Sequence, residues 1–208
     1  MTPDIKICGI KNIEEIKIIN KYPVSYVGFI FADSKRKVTE DKVIELSKHI
    51  REDIKVVGVF VNENVEYVNR LVHSCRLDIV QLHGNESNEY CKNICCKVWK
   101  SIAVSDESSI RIIDYYKDVD GILLDTYHNG KSGGTGKAFS WELVKKISKS
   151  NQIVLAGGLT PDNIVKAINI VKPQIIDVNS GVETNFNKNE NKIRQLFIRL
   201  QEYRRKNE

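Results

Sequence analysis

Eight short runs of apolar, largely β-branched residues recur along this chain, at residues 5–8, 26–31, 55–61, 79–82, 98–102, 121–124, 153–156 and 175–178. Each is followed by a polar turn, and several of the intervening stretches repeat their apolar residues at helical spacing: Ile13, Ile16 and Ile19; Val43, Leu46 and Ile50; Val65, Val68 and Leu71; Leu143, Val144 and Ile147; Ile164, Ala167 and Ile168. Near-continuous apolar strands separated by helices imply a parallel sheet buried on both faces. Eight such units predict an α/β protein, a closed (β/α)8 TIM barrel near the lower end of that fold's size range. An open doubly wound sheet is the other arrangement, but eight strands would make an unusually wide single layer. At 208 residues the chain is expected to form one domain over residues 1–208. The least regular unit is the fifth helix, where residues 105–114 are polar and weakly periodic.

Composition narrows the function classes. With 41% hydrophobic and 28% charged residues the chain belongs with ordinary globular proteins and not with disordered ones. No apolar run approaches the roughly 18 residues needed to span a bilayer. The start, Met1-Thr2-Pro3-Asp4, lacks the basic and apolar regions of a signal peptide, so a cytoplasmic location without membrane attachment is expected. Five cysteines at irregular spacing fit reduced thiols. Cys91, Cys95 and Cys96 do not follow a C-x-x-C pattern and have no adjacent His, so no metal site is expected. The net charge of +5 comes mostly from residues 188–208, where Ile193, Leu196, Phe197 and Leu200 mark a packed helix with a basic outer face. No aromatic residues are interleaved for base stacking, and no nucleic-acid partner is expected. Oligomeric state has no signature in the sequence.

In a barrel of this kind the active site lies at the C-terminal ends of the strands. The residues leaving each run form a strongly polar ring: Cys8, residues 31–36, Asn62, Gln81 with His83, Lys100 with Ser101, Asp125, Ala156-Gly157-Gly158 and residues 177–181. Cys8 and Asp125 are the candidate acid and base pair of an enzyme. A cysteine at a strand end is often a small buried filler; the polar ring and Asp125 favour the base. Lys6 lies two residues before Cys8 and so shares its face. It is read either as a cation that lowers the thiol pKa from about 8.5 or as the partner of an internal carboxylate such as Asp177. Arg36 is a candidate for bidentate binding of a substrate carboxylate, with a solvated basic loop (Lys35, Lys37) as the alternative. Gln81, His83 and Asp177 are candidate substrate-binding groups.

Two small-residue loops suggest an anion site. Ala156-Gly157-Gly158-Leu159-Thr160-Pro161 ends the seventh run, with Thr160 and Pro161 suited to the N-cap and first position of the next helix. Asn179-Ser180-Gly181-Val182 follows the eighth. Gly157, Gly158, Ser180 and Gly181 are therefore candidate phosphate-binding residues, since loops seven and eight form the recurrent phosphate site of such barrels. Ser132-Gly133-Gly134-Thr135-Gly136-Lys137 fails the nucleotide-loop pattern, because Ala138 stands where Ser or Thr is needed. Gly133, Gly134 and Gly136 are read instead as part of a lid over the site.

Seven blocks together resemble the phosphoribosylanthranilate isomerases of tryptophan biosynthesis: Lys6-Ile7-Cys8-Gly9-Ile10, Val57-Gly58-Val59-Phe60-Val61-Asn62, Val80-Gln81-Leu82-His83-Gly84, Leu124-Asp125-Thr126, Gly133-Gly134-Thr135-Gly136-Lys137, Ala156-Gly157-Gly158-Leu159 and Asp177-Val178-Asn179-Ser180-Gly181-Val182-Glu183. They run in order through essentially the whole chain. The resemblance implies an Amadori rearrangement of N-(5-phosphoribosyl)anthranilate, a phosphorylated small-molecule substrate, with Asp125 as acid, Cys8 as base and Arg36 on the anthranilate carboxylate. It implies no metal or redox cofactor. Where the family pattern has Phe-Asp-Trp this chain has Phe139-Ser140-Trp141, and Ser140 is suited to the same helix-capping task. An aminoaldose isomerase of histidine biosynthesis would share the fold, but with aspartate in place of Cys8. A catalytically silent phosphate-binding barrel is the alternative from another class.

Overall fold

The computed structural model describes residues 2–128, 131–132, 141–146 and 152–207. Eight parallel strands form its centre: β1 (Asp4–Cys8), β2 (Tyr26–Ile30), β3 (Lys55–Phe60), β4 (Ile79–Leu82), β5 (Lys97–Val104), β6 (Gly121–His128), β7 (Gln152–Leu155) and β8 (Ile175–Val178). Each pairs with the next, and β8 returns to β1, so the sheet closes into the expected barrel. The closing register runs from Asp4 opposite Ile175 to Ile7 opposite Val178. β5 and β6 extend beyond their apolar runs, because they pair over six residues from Trp99–Gly121 to Val104–Thr126.

The helices are α1 (Ile13–Ile19), α2 (Glu40–Ser47), α3 (Val65–Ser74), α4 (Asn88–Lys92), α5 (Glu107–Arg111), α6 (Ile164–Val171) and α7 (Glu190–Asn207). Short 3-10 helices occupy Ile112–Tyr115 and Trp141–Lys146. The turns out of the strands carry the start signals: Asn12, Thr39, Asn64 and Ser87 each accept a first-turn N–H in their side chains. No helix among the described residues is long and apolar enough to cross a membrane.

Apolar burial falls into two shells. Ile7, Val27, Phe29, Val80, Leu82, Ile122, Leu124, Ile176 and Val178 face outward into the layer between strands and helices, against residues such as Ile16, Leu46, Leu71, Ile164 and Leu196. Tyr26, Val57, Ile79, Trp99, Leu123, Val154, Ala156 and Ile175 fill the barrel itself. The filled interior makes the barrel a platform and confines polar chemistry to its rim.

Candidate active site

Side-chain alternation along the strands puts a polar group above an apolar one. Ile79 is followed two residues later by Gln81, Trp99 by Ser101, Leu123 by Asp125 and Ile175 by Asp177. The lower members plug the barrel; the upper members are polar and buried. Above them lies a cavity of about 240 Å³ whose wall includes Cys8, Arg36, Gln81, His83, Asp125, Gly157, Gly158, Asp177 and Ser180. Sequence-predicted residues from six different strand ends thus converge on one space. Lys100 does not join them. Its Nζ donates to the Leu82, Gly84 and Ser101 carbonyls and to Glu86 Oε2 at 3.1 Å, outside the barrel, because neighbours on a strand face opposite ways.

Lys6 is fully buried, and its Nζ donates to Asp177 Oδ2 at 2.6 Å and Gln81 Oε1 at 2.9 Å. Burial works against its charge, but Asp177 and Cys8 more than offset that and hold its pKa above the usual lysine value. Both readings of Lys6 hold, since it pairs with Asp177 and also pulls the Cys8 pKa down, but its pull does not decide the outcome. Burial pushes the thiol up, Lys6 pulls it down and Asp177 pushes it up again, for a net rise. Gly28 leaves room for this group: a Cβ there would stand 2.7 Å from Cys8 Sγ and 3.2 Å from Lys6 Nζ. Asp177 Oδ1 is buried without a hydrogen-bond partner among the described residues, and Asp177 lines the cavity.

Across the rim, His83 Nδ1 lies 3.1 Å from Gln81 Nε2, and its Nε2 lies 3.3 Å from both Ser101 Oγ and Asp125 Oδ2. Arg36 makes a bidentate pair with Glu183, Nε to Oε1 at 2.8 Å and Nη2 to Oε2 at 2.6 Å. Glu183 also accepts from buried Lys188 Nζ at 2.6 Å. Burial raises the Glu183 pKa, yet these two cations together bring it below the ordinary glutamate value. Burial in turn lowers the Lys188 pKa, with Glu183 opposing. Arg36 is thereby held at the cavity, not free in solvent. Sequence reasoning assigned no role to Glu183 or Lys188; the only signal was that Glu183 closes the last resembling block.

The anion loops are built from backbone. Gly157 and Gly158 have φ of 83° and 62°, and the N–H groups of Gly157, Gly158, Ser180 and Gly181 find no acceptor among the described residues. Gly181 is not on the cavity wall. It lets the two loops touch: a Cβ there would sit 1.8 Å from the Leu159 carbonyl oxygen. The expected N-cap at Thr160 is displaced. Its carbonyl accepts from Asn163 and Ile164 and its hydroxyl from Asp162 at 3.3 Å, but residues 161–163 form a turn and α6 starts at Ile164. Gly133, Gly134, Gly136 and Ser140 lie outside the described residues. Among those described, no cluster of three or more His, Cys, Asp or Glu has the geometry to hold a metal.

A barrel with this rim is matched by known proteins along its whole length. The family model for N-(5'phosphoribosyl)anthranilate (PRA) isomerase matches residues 5–199. N-(5'-phosphoribosyl)anthranilate isomerase of Clostridium acetobutylicum is 43% identical over 205 residues, covering 96% of this chain and 98% of that one. The structure of the Thermotoga maritima phosphoribosyl anthranilate isomerase superimposes with a TM-score of 0.88 at 34% identity, covering 96% and 99% of the two chains. A structure of phosphoribosyl anthranilate isomerase in complex with reduced 1-(o-carboxyphenylamino)-1-deoxyribulose 5-phosphate gives 0.84 at 32% identity with the same coverage. With a match spanning all eight strands and identity above 40% to a curated relative, this chain belongs to the N-(5'-phosphoribosyl)anthranilate isomerase family.

Proposed function

We propose that the chain catalyses the Amadori rearrangement of N-(5-phosphoribosyl)anthranilate to 1-(2-carboxyphenylamino)-1-deoxyribulose 5-phosphate, with Asp125 as general acid and Cys8 as general base. The observation that carries this is the order around the rim: Asp125 on β6, the two anion loops after β7 and β8, Cys8 on β1 and Arg36 after β2. A phosphate held by Gly157, Gly158, Ser180 and Gly181 anchors one end of the substrate between acid and base. Arg36, through the donors left free by Glu183, takes the anthranilate carboxylate at the other end. Asp177 Oδ1 accepts from a ribose hydroxyl, and Gln81 and His83 face the sugar.

Asp125 protonates the ring oxygen, the bond from that oxygen to C1′ breaks, and the nitrogen lone pair forms the iminium. Cys8 thiolate removes the C2′ proton; the released pair makes the C1′–C2′ double bond, and the iminium electrons return to nitrogen. The enolamine tautomerises to the ketone. Holding both groups at a fixed substrate replaces collision by position, and a positioned acid or base contributes about 10² to 10⁴ in rate. A cytoplasmic, single-domain protein fits this reading. The test is turnover by the purified full-length chain with the substrate generated in situ. Conversion to the ketose phosphate is expected, and a folded sample that binds phosphate without converting substrate would leave a silent barrel.

A further inference from the structure

Resting on the proposed acid role of Asp125, we infer that Gln81 is a positioning residue: it fixes the tautomer of His83 so that His83 donates its Nε2–H toward Asp125. The Lys6 ammonium only donates hydrogen bonds. Since Lys6 Nζ is 2.9 Å from one end of the Gln81 amide, that end is the oxygen, and the NH₂ end faces His83 Nδ1 at 3.1 Å. An amide NH₂ also only donates, so Nδ1 is the acceptor and the ring proton sits on Nε2. Nε2 is hydrogen-bonded to Ser101 Oγ at 3.3 Å and has Asp125 Oδ2 at the same distance, so the Nε2–H lies on the Asp125 side of the ring, within reach of its carboxylate. The opposite tautomer would set an N–H against an N–H at Gln81 and aim a bare nitrogen lone pair at the carboxylate.

The arrangement has a catalytic use. A hydrogen bond from a neutral N–H is stronger to a carboxylate than to a carboxylic acid, so it tightens as Asp125 hands its proton to the substrate. The interaction grows along the reaction coordinate, which is what distinguishes assistance to kcat from substrate binding. Lys6 serves both sides of the site at once, through Asp177 beneath the base and through Gln81 toward the acid.

The tautomer is read directly by long-range ¹⁵N–¹H correlation spectra of the full-length, ¹⁵N-histidine-labelled protein. The chain has four histidines, and the His83 signals are assigned by their loss in His83→Asn. Wild-type His83 is expected to show a protonated Nε2 and a bare Nδ1. Gln81→Glu offers Nδ1 an acceptor instead, so a proton should appear there, and kcat should fall roughly ten- to a hundredfold with KM little changed. Gln81→Met keeps the bulk and removes both bonds, giving mixed tautomers and a smaller loss of kcat. A proton on Nδ1 in the wild type overturns the inference without any variant having to fold. So does a Gln81→Glu protein whose His83 stays unchanged, or one that raises KM alone. Full activity of Asp125→Asn, by contrast, would remove the acid assignment itself while the tautomer measurement still stands.

Discussion

In the proposed mechanism the groups from β1, β4, β6 and β8 act through side chains: Cys8, Gln81, Asp125 and Asp177 are buried, and each is oriented by the two-residue period of its strand. After β7 and β8 the proposed phosphate site relies on the main chain, where Gly157, Gly158 and Ser180 line the cavity and Gly181 lets the two loops meet. The wall needs particular functional groups at particular atoms and accepts changes around them; the cradle needs the absence of side chains and is indifferent to much of their chemistry. Proton transfer demands one atom of the right acidity within bonding reach, whereas a phosphate dianion is held by any inward-pointing set of N–H dipoles.

The sharpest way to break this contrast is Asp125→Asn, which keeps shape and removes the proton. Turnover should fall by about 10² to 10⁴ with little change in KM, and a rate within about threefold of wild type would take Asp125 out of the mechanism. Cys8→Ala should cost a similar factor, leaving the fold intact. For the same residue, burial has raised the thiol pKa, so its reactive thiolate accumulates only above the ordinary cysteine range. Peptide-resolved alkylation at Cys8 should therefore keep accelerating beyond about pH 8.5 to 9, and bound substrate analogue should protect it. Rapid modification that is already at its plateau at neutral pH would contradict the structure.

Next in size, Arg36→Met should weaken the anthranilate-bearing substrate by about 1.5–3 kcal/mol while inorganic phosphate binds nearly as before. Lys188 remains on Glu183, so the carboxylate left behind is not stranded. Equal loss for both ligands in titration calorimetry would place Arg36 in the cradle. Gly181→Ala tests the other side: its Cβ must push the Leu159 carbonyl away, and overpacking of this kind costs about 1–3 kcal/mol. The loss should appear as a higher KM and weaker phosphate binding at nearly unchanged kcat. Ser180→Ala, which preserves the backbone, should have the smallest effect, about 0.5–1.5 kcal/mol at most; a larger kcat effect than Asp125→Asn would reverse the comparison.

Much of this was legible because period two and period 3.6 are properties of neighbouring residues. The eight runs became eight strands, and Gln81, Asp125 and Asp177 face the cavity at the strand ends where alternation places them. What was not legible depends on distance in sequence or on competing fields. Arg36 finds Glu183 across 147 residues, and the Cys8 pKa is set by burial against two opposed charges, which no spacing rule weighs. The stretch 105–114 is a different case. α5 is only five residues long and is held by a reciprocal cap between Asp106 and Ser109, so its stability comes from local polar bonds and leaves little apolar period to read. Lys100 was misplaced because it was read together with Ser101, although strand neighbours diverge.

The Lys6–Asp177 bond joins the first strand to the last, between residues 171 positions apart in the sequence. Closing so large a loop carries an entropic cost that only the completed seam repays, and contacts of such long range slow folding. Of the eight barrel strands the thiol-bearing one is synthesised first, and one of its edges stays unpaired until β8 has been made. The burial and charges that shift the Cys8 pKa come into being together with barrel closure, so an incompletely made chain holds an ordinary thiol with no site around it and not a weakened enzyme.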